Sequence, residues 1–167
     1  MSPLLLRSQH LDLASLSADQ IGMFAVAIRQ LADGRSSAYR SQALAGCNFG
    51  LLRGSGAARD MSLFESAAVA LGARVACLEP GLTGPGTPLD LAHTAHVIGR
   101  LYDALVCVGS ASARLRRIGV LAGVPLIEGF AASRQRLERL AGLVVGPTCE
   151  DDHLRLVVQA VFLHALA

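Results

Sequence analysis

Residues 45–78 decide the fold of this chain and read AGCNFGLLRGSGAARDMSLFESAAVALGARVACL. The apolar run from Ala45 to Leu52 predicts a strand, and Gly54-Ser55-Gly56 predicts a turn after it. Residues 59–71 predict a helix that ends at Gly72, a favoured residue just beyond a helix C-terminus. Residues 74–78 predict a second strand. A strand, a helix and a strand within about 30 residues indicate a βαβ unit with parallel strands.

The same alternation continues on both sides of this unit. Ser17 and Gln20 form a capping-box pattern that starts a helix running to about Ala32. Further helices are predicted at 89–102, 111–122, 132–141 and 151–166, with strands at 104–108 and 124–127 and a connection at 142–149. We therefore predict a three-layer α/β/α fold with a four-stranded or larger parallel sheet and a C-terminal helix that packs back on the domain. Residues 1–167 are expected to form one domain.

Composition narrows the possible functions. The chain is 52% hydrophobic with a mean hydropathy of +0.46, but no apolar run reaches the roughly 18 residues that span a bilayer. We expect a cytoplasmic protein with no membrane contact, whose apolar excess is buried in a covered sheet or in a subunit interface. All fifteen basic residues are arginine, which excludes Schiff-base chemistry and a Walker-type lysine.

Several partners and cofactors are not expected. The arginine clusters at 114–117 and 134–139 are not interleaved with aromatic residues, so a nucleic-acid surface is poorly supported. The four cysteines form no Cys-x-x-Cys pair, and His93 and His96 have no obvious third ligand. We predict no metal site, no disulfide framework and no cofactor.

The segment between the first two strands is where chemistry is expected, because ligands of open α/β sheets bind at the carboxyl ends of strands. Free N–H groups at the start of the following helix favour an anion. A tight turn that requires glycine explains Gly54 and Gly56 equally well. A dinucleotide site is poorly supported, since Arg59 stands where the third glycine of that motif belongs.

Five segments resemble aspartate and ornithine carbamoyltransferases. Residues 59–73, RDMSLFESAAVALGA, are similar to the helix after that family's phosphate loop, S-T-R-T-R-x-S-F-E-x-A-x-x-x-L-G. Residues 92–98 and 102–106 resemble A-D-T-A-R-V-L and V-D-A-I-V, and residues 123–129 resemble G-V-P-V-I-N-G. The last helix is similar to the family's closing helix, which returns from a second domain. The resemblance implies the first, carbamoyl-phosphate-binding domain with this returning helix, and without the amino-acid-binding domain.

The resemblance also implies a ligand site, and most of its positions depart from the family pattern. That degenerate anion site comprises Ser55, Gly56, Ala57, Ala58, Arg59, Asp60, Gln135 and Glu138. Only Arg59 matches S-T-R-T-R, Asp60 places a carboxylate where phosphate belongs, and the H-P-x-Q motif falls on residues 135–138 as QRLE. The phosphate-contacting arginine of the family falls at Val108. We therefore expect no catalytic residues for carbamoyl transfer.

Three functions follow from these observations. The first is a catalytically silent carbamoyltransferase-like domain that assembles as a homo-oligomer, a trimer by the resemblance, or joins a full-length transferase and modulates it. The second is a repurposed pocket near Arg59 and Asp60 that takes a cationic or amide-bearing ligand. A purely structural alternative is that Asp60 caps or charges the start of its helix while Arg134 and Glu138 form a solvated i,i+4 pair. The third, ranked last, is carbamoyl transfer in amino-acid or pyrimidine biosynthesis with a partner chain.

Overall fold

The computed structural model describes residues 10–33, 41–54, 60–78, 88–146 and 150–166, apart from the side chains of residues 88, 89 and 150. Within these ranges the sheet strands are β1 (His10–Asp12), β2 (Asn48–Arg53), β3 (Arg74–Leu78), β4 (Ala104–Val108) and β5 (Leu126–Glu128). The helices are α1 (Ala18–Ala32), α2 (Met61–Ala70), α3 (Pro88–Leu101), α4 (Ala113–Ala122), α5 (Phe130–Val145) and α6 (Glu150–Leu166). A 3₁₀ turn at Leu13–Ser15 links β1 to α1.

The strands form a parallel sheet in the order β1-β5-β4-β2-β3. Side chains of β4 alternate between its faces, as the period of two in a strand requires. Val106 belongs to the larger hydrophobic core, which includes α1, α2, α5 and α6. Leu105 belongs to the smaller core, which includes α3 and α4. The predicted three-layer α/β/α architecture is confirmed.

Helix α6 is the most deeply buried helix of the larger core. Its buried apolar side chains are Leu154, Val157, Val158, Ala160, Val161, Phe162 and Ala165. The helix packs against α1, α2 and α5. The Phe162 ring lies 4.9 Å from that of Phe49 in β2 and 5.9 Å from that of Phe64 in α2, measured between centroids. The predicted packing of the C-terminal helix back on the domain is confirmed, and these contacts explain its high apolar content.

The helix-start prediction at Ser17 is also confirmed. The Ser17 hydroxyl accepts a hydrogen bond from the Gln20 N–H at 3.2 Å, and the Gln20 side chain accepts one from the Ser17 N–H at 2.9 Å. This reciprocal pair satisfies two N–H groups that the first turn of a helix otherwise leaves without partners.

Several element boundaries differ from prediction. Strand β1 was not predicted, because three residues are too few for a period to be recognised. Helix α5 runs to Val145, whereas residues 142–149 were predicted as a connection. Gly142 is accommodated in that helix where it approaches His153 of α6, and the helix ends instead at Gly146, with a φ of 88°. Strand β5 and helix α4 each begin two residues later than predicted.

Among the helices of the described residues, none combines the length and apolarity needed to cross a membrane.

Candidate functional site

A cleft of about 890 Å³ lies between the starts of helices α2 and α6 and the N-terminal half of α5. Helices α2 and α5 follow strands β2 and β5 of a parallel sheet, so their starts lie at its carboxyl edge, where ligands of open α/β sheets bind. The cleft is lined by Asp60, Ser62, Leu63, Ser66, Arg134, Gln135, Glu138, Asp151, Asp152 and Arg155.

Three of the predicted site residues meet in this cleft. Asp60 comes from the start of α2, and Gln135 and Glu138 come from α5, more than seventy residues later in the chain. The other predicted site residues, Ser55, Gly56, Ala57, Ala58 and Arg59, lie outside the residues that the structure describes. The fold therefore places the two segments that depart from the family motifs, around Asp60 and around 135–138, in the lining of one cleft.

The shortest polar contact in the cleft is an ion pair between Asp60 and Arg134. Arg134 Nη1 donates to Asp60 Oδ1 at 2.5 Å. Asp60 is 5% exposed, and the Arg134 side chain is 32% exposed. Asp60 stands at the N-cap position of α2, but its side chain makes no capping hydrogen bond. The expectation that its side chain caps the helix is therefore wrong: the carboxylate binds across to α5.

The charges of the described cleft lining have a negative balance. Among the residues that the structure describes, the lining holds four carboxylates and two guanidinium groups. Arg155 pairs with Asp152 at 2.7 Å, both of them half-exposed. Neither Glu138 nor Asp151 has an ion-pair partner among the residues that the structure describes. Carboxylates in the first turn of α6 complement the positive end of its helix dipole, which is the structural explanation for part of this charge.

A second cluster of charges lies at the carboxyl end of β5, and sequence reasoning missed it. Glu128 is 2% exposed and accepts a bidentate pair of hydrogen bonds from Arg116, at 2.6 and 3.0 Å. The Ala111 N–H donates to the same carboxylate at 2.7 Å, and His10 Nε2 lies 2.6 Å from it. Glu128 thereby ties β1, α4 and the segment after β4 to the end of β5.

The contacts of Glu128 shift two pKa values. Burial acts to raise the pKa of Glu128, but the hydrogen bonds from Arg116, the Ala111 N–H and His10 outweigh it and lower that pKa to about 2. Burial raises the pKa of the nearby Cys107 thiol to about 11, with a further contribution from the Glu128 charge. Glu128 therefore stays ionised, and Cys107 stays a protonated thiol that serves as a small apolar side chain.

One feature of the sequence pointed to this cluster. The segment 123–129 matches the family pattern G-V-P-V-I-N-G except that Leu126 replaces valine and Glu128 replaces asparagine. A carboxylate at the end of an otherwise apolar strand must find cationic partners or hydrogen-bond donors. The partner His10 lies 118 residues away along the chain, so only the fold reveals the pairing.

Comparison with solved structures shows which known proteins this architecture resembles. No protein-family model matches the chain. The structure is similar to ornithine carbamoyltransferase from Gloeobacter violaceus, with a TM-score of 0.53 and 28% identity over 71% of this chain and 37% of that one. It is also similar to the ornithine carbamoyltransferase of Pyrococcus furiosus, with a TM-score of 0.57 and 22% identity over 71% and 39% of the two chains. The corresponding Thermus thermophilus enzyme gives a TM-score of 0.58 and 20% identity over 81% and 47%.

The chain is thus a carbamoyltransferase-like α/β domain, and the resemblance noted in its sequence is confirmed. The three structures named above are, more narrowly, ornithine carbamoyltransferases. The chain spans less than half the length of each of these three structures.

Proposed function

We propose that this domain does not transfer carbamoyl groups and acts instead by assembly, either with copies of itself or with a full-length transferase whose activity it modulates. The observation that carries this proposal is the buried ion pair between Asp60 and Arg134. Asp60 puts a negative charge at the helix start, where the family pattern has a hydroxyl donor. By the resemblance, this position belongs to a binding site for a dianion. A like charge at that position opposes the binding of phosphate.

The loss of donors supports the same conclusion. Ala57 and Ala58 supply no hydroxyl, Val108 supplies no guanidinium, and residues 135 and 138 are glutamine and glutamate instead of histidine and glutamine. A hydrogen bond to a charged ligand contributes about 1.5–3 kcal/mol. Four or five such losses amount to roughly 5–10 kcal/mol after allowing for non-additivity, and each 1.4 kcal/mol is about a tenfold loss of affinity. Carbamoyl phosphate is therefore not expected to bind usefully.

The surface supports a role in assembly. Among the described residues, the large apolar side chains that are more than a third exposed are Met23, Val26, Val69, Val97, Leu101, Val120, Leu121 and Leu143. Leu143 is the extreme case, with 86% of its surface accessible. Burial of such side chains between subunits is favourable by about 25 cal/mol per Å² of apolar surface. We propose a homotrimer, following the resemblance, with residues 1–167 acting as one domain.

Two measurements test this proposal. Purified protein is assayed for citrulline and carbamoylaspartate with saturating carbamoyl phosphate and either amine substrate, and neither product is expected. Light scattering after size exclusion, at several protein concentrations, should show a defined oligomer. Formation of either product above the uncatalysed rate contradicts catalytic silence. A monomer at the highest concentration contradicts self-assembly, and a second run with a full-length ornithine carbamoyltransferase then decides the hetero-assembly.

A second candidate function is favoured by the charge of the cleft. The four carboxylates and two guanidinium groups of its described lining suit a cationic or amide-bearing organic ligand better than an anion. A metal ion is less well supported, since the described residues contain no group of three or more His, Cys, Asp or Glu side chains arranged to hold one.

A thermal-shift screen separates the two candidates. Stabilisation by diamines, guanidinium compounds or carboxamides that is lost in Glu138→Gln supports a ligand cleft. Arg136→Gln, an exposed change on the same helix outside the cleft lining, serves as the matched control. A flat response to all of these compounds leaves assembly as the proposed function.

A further inference from the structure

We propose that the Asp60 carboxylate is an internal anion that takes the place of an external one, so that its pairing with Arg134 closes this end of the cleft to phosphate-like ligands. The inference rests on the proposed function, because it concerns the same site and explains how that site is kept silent. The chemical class it excludes is the phosphate monoanion or dianion, free or as a monoester.

The direction of the Asp60 side chain is the first step. Aspartate at an N-cap normally accepts a hydrogen bond from the N–H of the second or third residue of its own helix. Asp60 occupies the N-cap of α2 and makes no such bond. Its carboxylate instead contacts Arg134 of α5 at 2.5 Å and is almost completely buried. The carboxylate therefore links the start of α2 to α5. It lies where the dipole of α2 favours negative charge.

The chemistry of the partner is the second step. A guanidinium group presents a planar fork of donors that suits a carboxylate and a phosphate alike. An anion joined to the chain acts at an effective concentration of millimolar or higher, without losing translational freedom on binding. Free phosphate at a concentration well below that value therefore does not displace it. Removal of the charge at position 60 should therefore expose a site that takes an external anion.

The test compares three single variants by calorimetric titration with inorganic phosphate at neutral pH. Asp60→Ser and Asp60→Asn are expected to bind phosphate at least roughly tenfold more tightly than the unchanged protein, the gain expected from one recovered charge-assisted hydrogen bond. Asp152→Asn is the matched control, because it removes one negative charge from the same cleft but leaves the Asp60–Arg134 pair intact. It should show no comparable gain. Adding Arg134→Gln to Asp60→Ser should abolish the new binding.

Circular dichroism establishes first that each variant is folded. Folded Asp60 variants that bind phosphate no better than the unchanged protein overturn the proposal, and so does an equal gain in Asp152→Asn. If a variant is unfolded in chloride, its refolding is compared in phosphate and in chloride of equal ionic strength. Recovery specific to phosphate is expected, and its absence overturns the proposal. Failure of the proposed function appears separately, as turnover or tight carbamoyl phosphate binding by the unchanged protein.

Discussion

Glu128 and Asp60 are both buried carboxylates that pair with an arginine at the carboxyl edge of the sheet, but they have different surroundings. Glu128 receives hydrogen bonds from Arg116 and from a backbone N–H, and it also contacts His10. Asp60 makes one short contact, to Arg134, and borders a cleft of about 890 Å³. We infer that Glu128, with its three partners, stabilises the fold, whereas Asp60, which borders open volume, determines which ligands the cleft accepts.

The largest effect is expected from Glu128→Ala. The change removes a buried acceptor and leaves the Ala111 N–H without its partner, so the free energy of unfolding should fall by about 3 kcal/mol. No larger loss of stability is expected, because the Arg116 side chain is 49% exposed and water can solvate it once its partner is removed. Urea denaturation measures the effect. A loss no larger than that of a surface substitution contradicts the role assigned to Glu128.

The pH dependence of stability sharpens the comparison. The pKa of Glu128 falls from 4.5 to about 2 on folding. A carboxylate with a lowered pKa stabilises the fold fully above its unfolded pKa, and the contribution is lost as the pH falls from about 4.5 towards about 2. The stability difference between the unchanged protein and Glu128→Gln should therefore be constant at neutral pH and shrink within that window. A stability difference between the two proteins that does not change with pH would contradict the lowered pKa of Glu128.

A smaller effect is expected at Asp60. Asp60→Asn keeps an acceptor but loses the charge, so the free energy of unfolding should fall by about 1–2 kcal/mol. A double-mutant cycle with Arg134→Gln should give a coupling energy of about 1 kcal/mol or more. Two changes whose effects simply add would show that the short contact contributes nothing to stability, and the contrast with Glu128 would then concern ligand binding alone.

The smallest effect is expected from Asp152→Asn. Its partner Arg155 lies one turn away on the same helix, and both side chains are half-exposed. Exposed ion pairs of this kind contribute about 0.5 kcal/mol or less. Denaturation at low and high salt should therefore give nearly equal values for this variant and the unchanged protein. A loss comparable to that of Asp60→Asn would mean that burial does not distinguish the two ion pairs of the cleft.

The sequence was sufficient for most of the fold. The alternation of apolar strands and amphipathic helices predicted the layers, the Ser17–Gln20 capping box predicted the start of α1, and the family-like closing segment predicted the return of α6. These signals are local or repeat at fixed spacing. Strand β1 was missed, because three residues carry no period and its partner Leu126–Glu128 lies more than a hundred residues away.

The candidate site was only partly predictable. Motif alignment grouped Asp60, Gln135 and Glu138, and the structure places all three in the lining of one cleft. The side-chain pairing was not predictable in the same way. Arg134 was expected to pair with Glu138 one turn along α5, but it pairs with Asp60, 74 residues away. Which of two nearby carboxylates an arginine selects depends on burial, and burial is a property of the assembled layers.

Titration of the unchanged protein with carbamoyl phosphate in a calorimeter tests the central claim most directly. With Asp60 charged and paired, and with the family's donors replaced, we predict no measurable binding heat at ligand concentrations up to the millimolar range. Saturable binding with a micromolar dissociation constant would contradict the account.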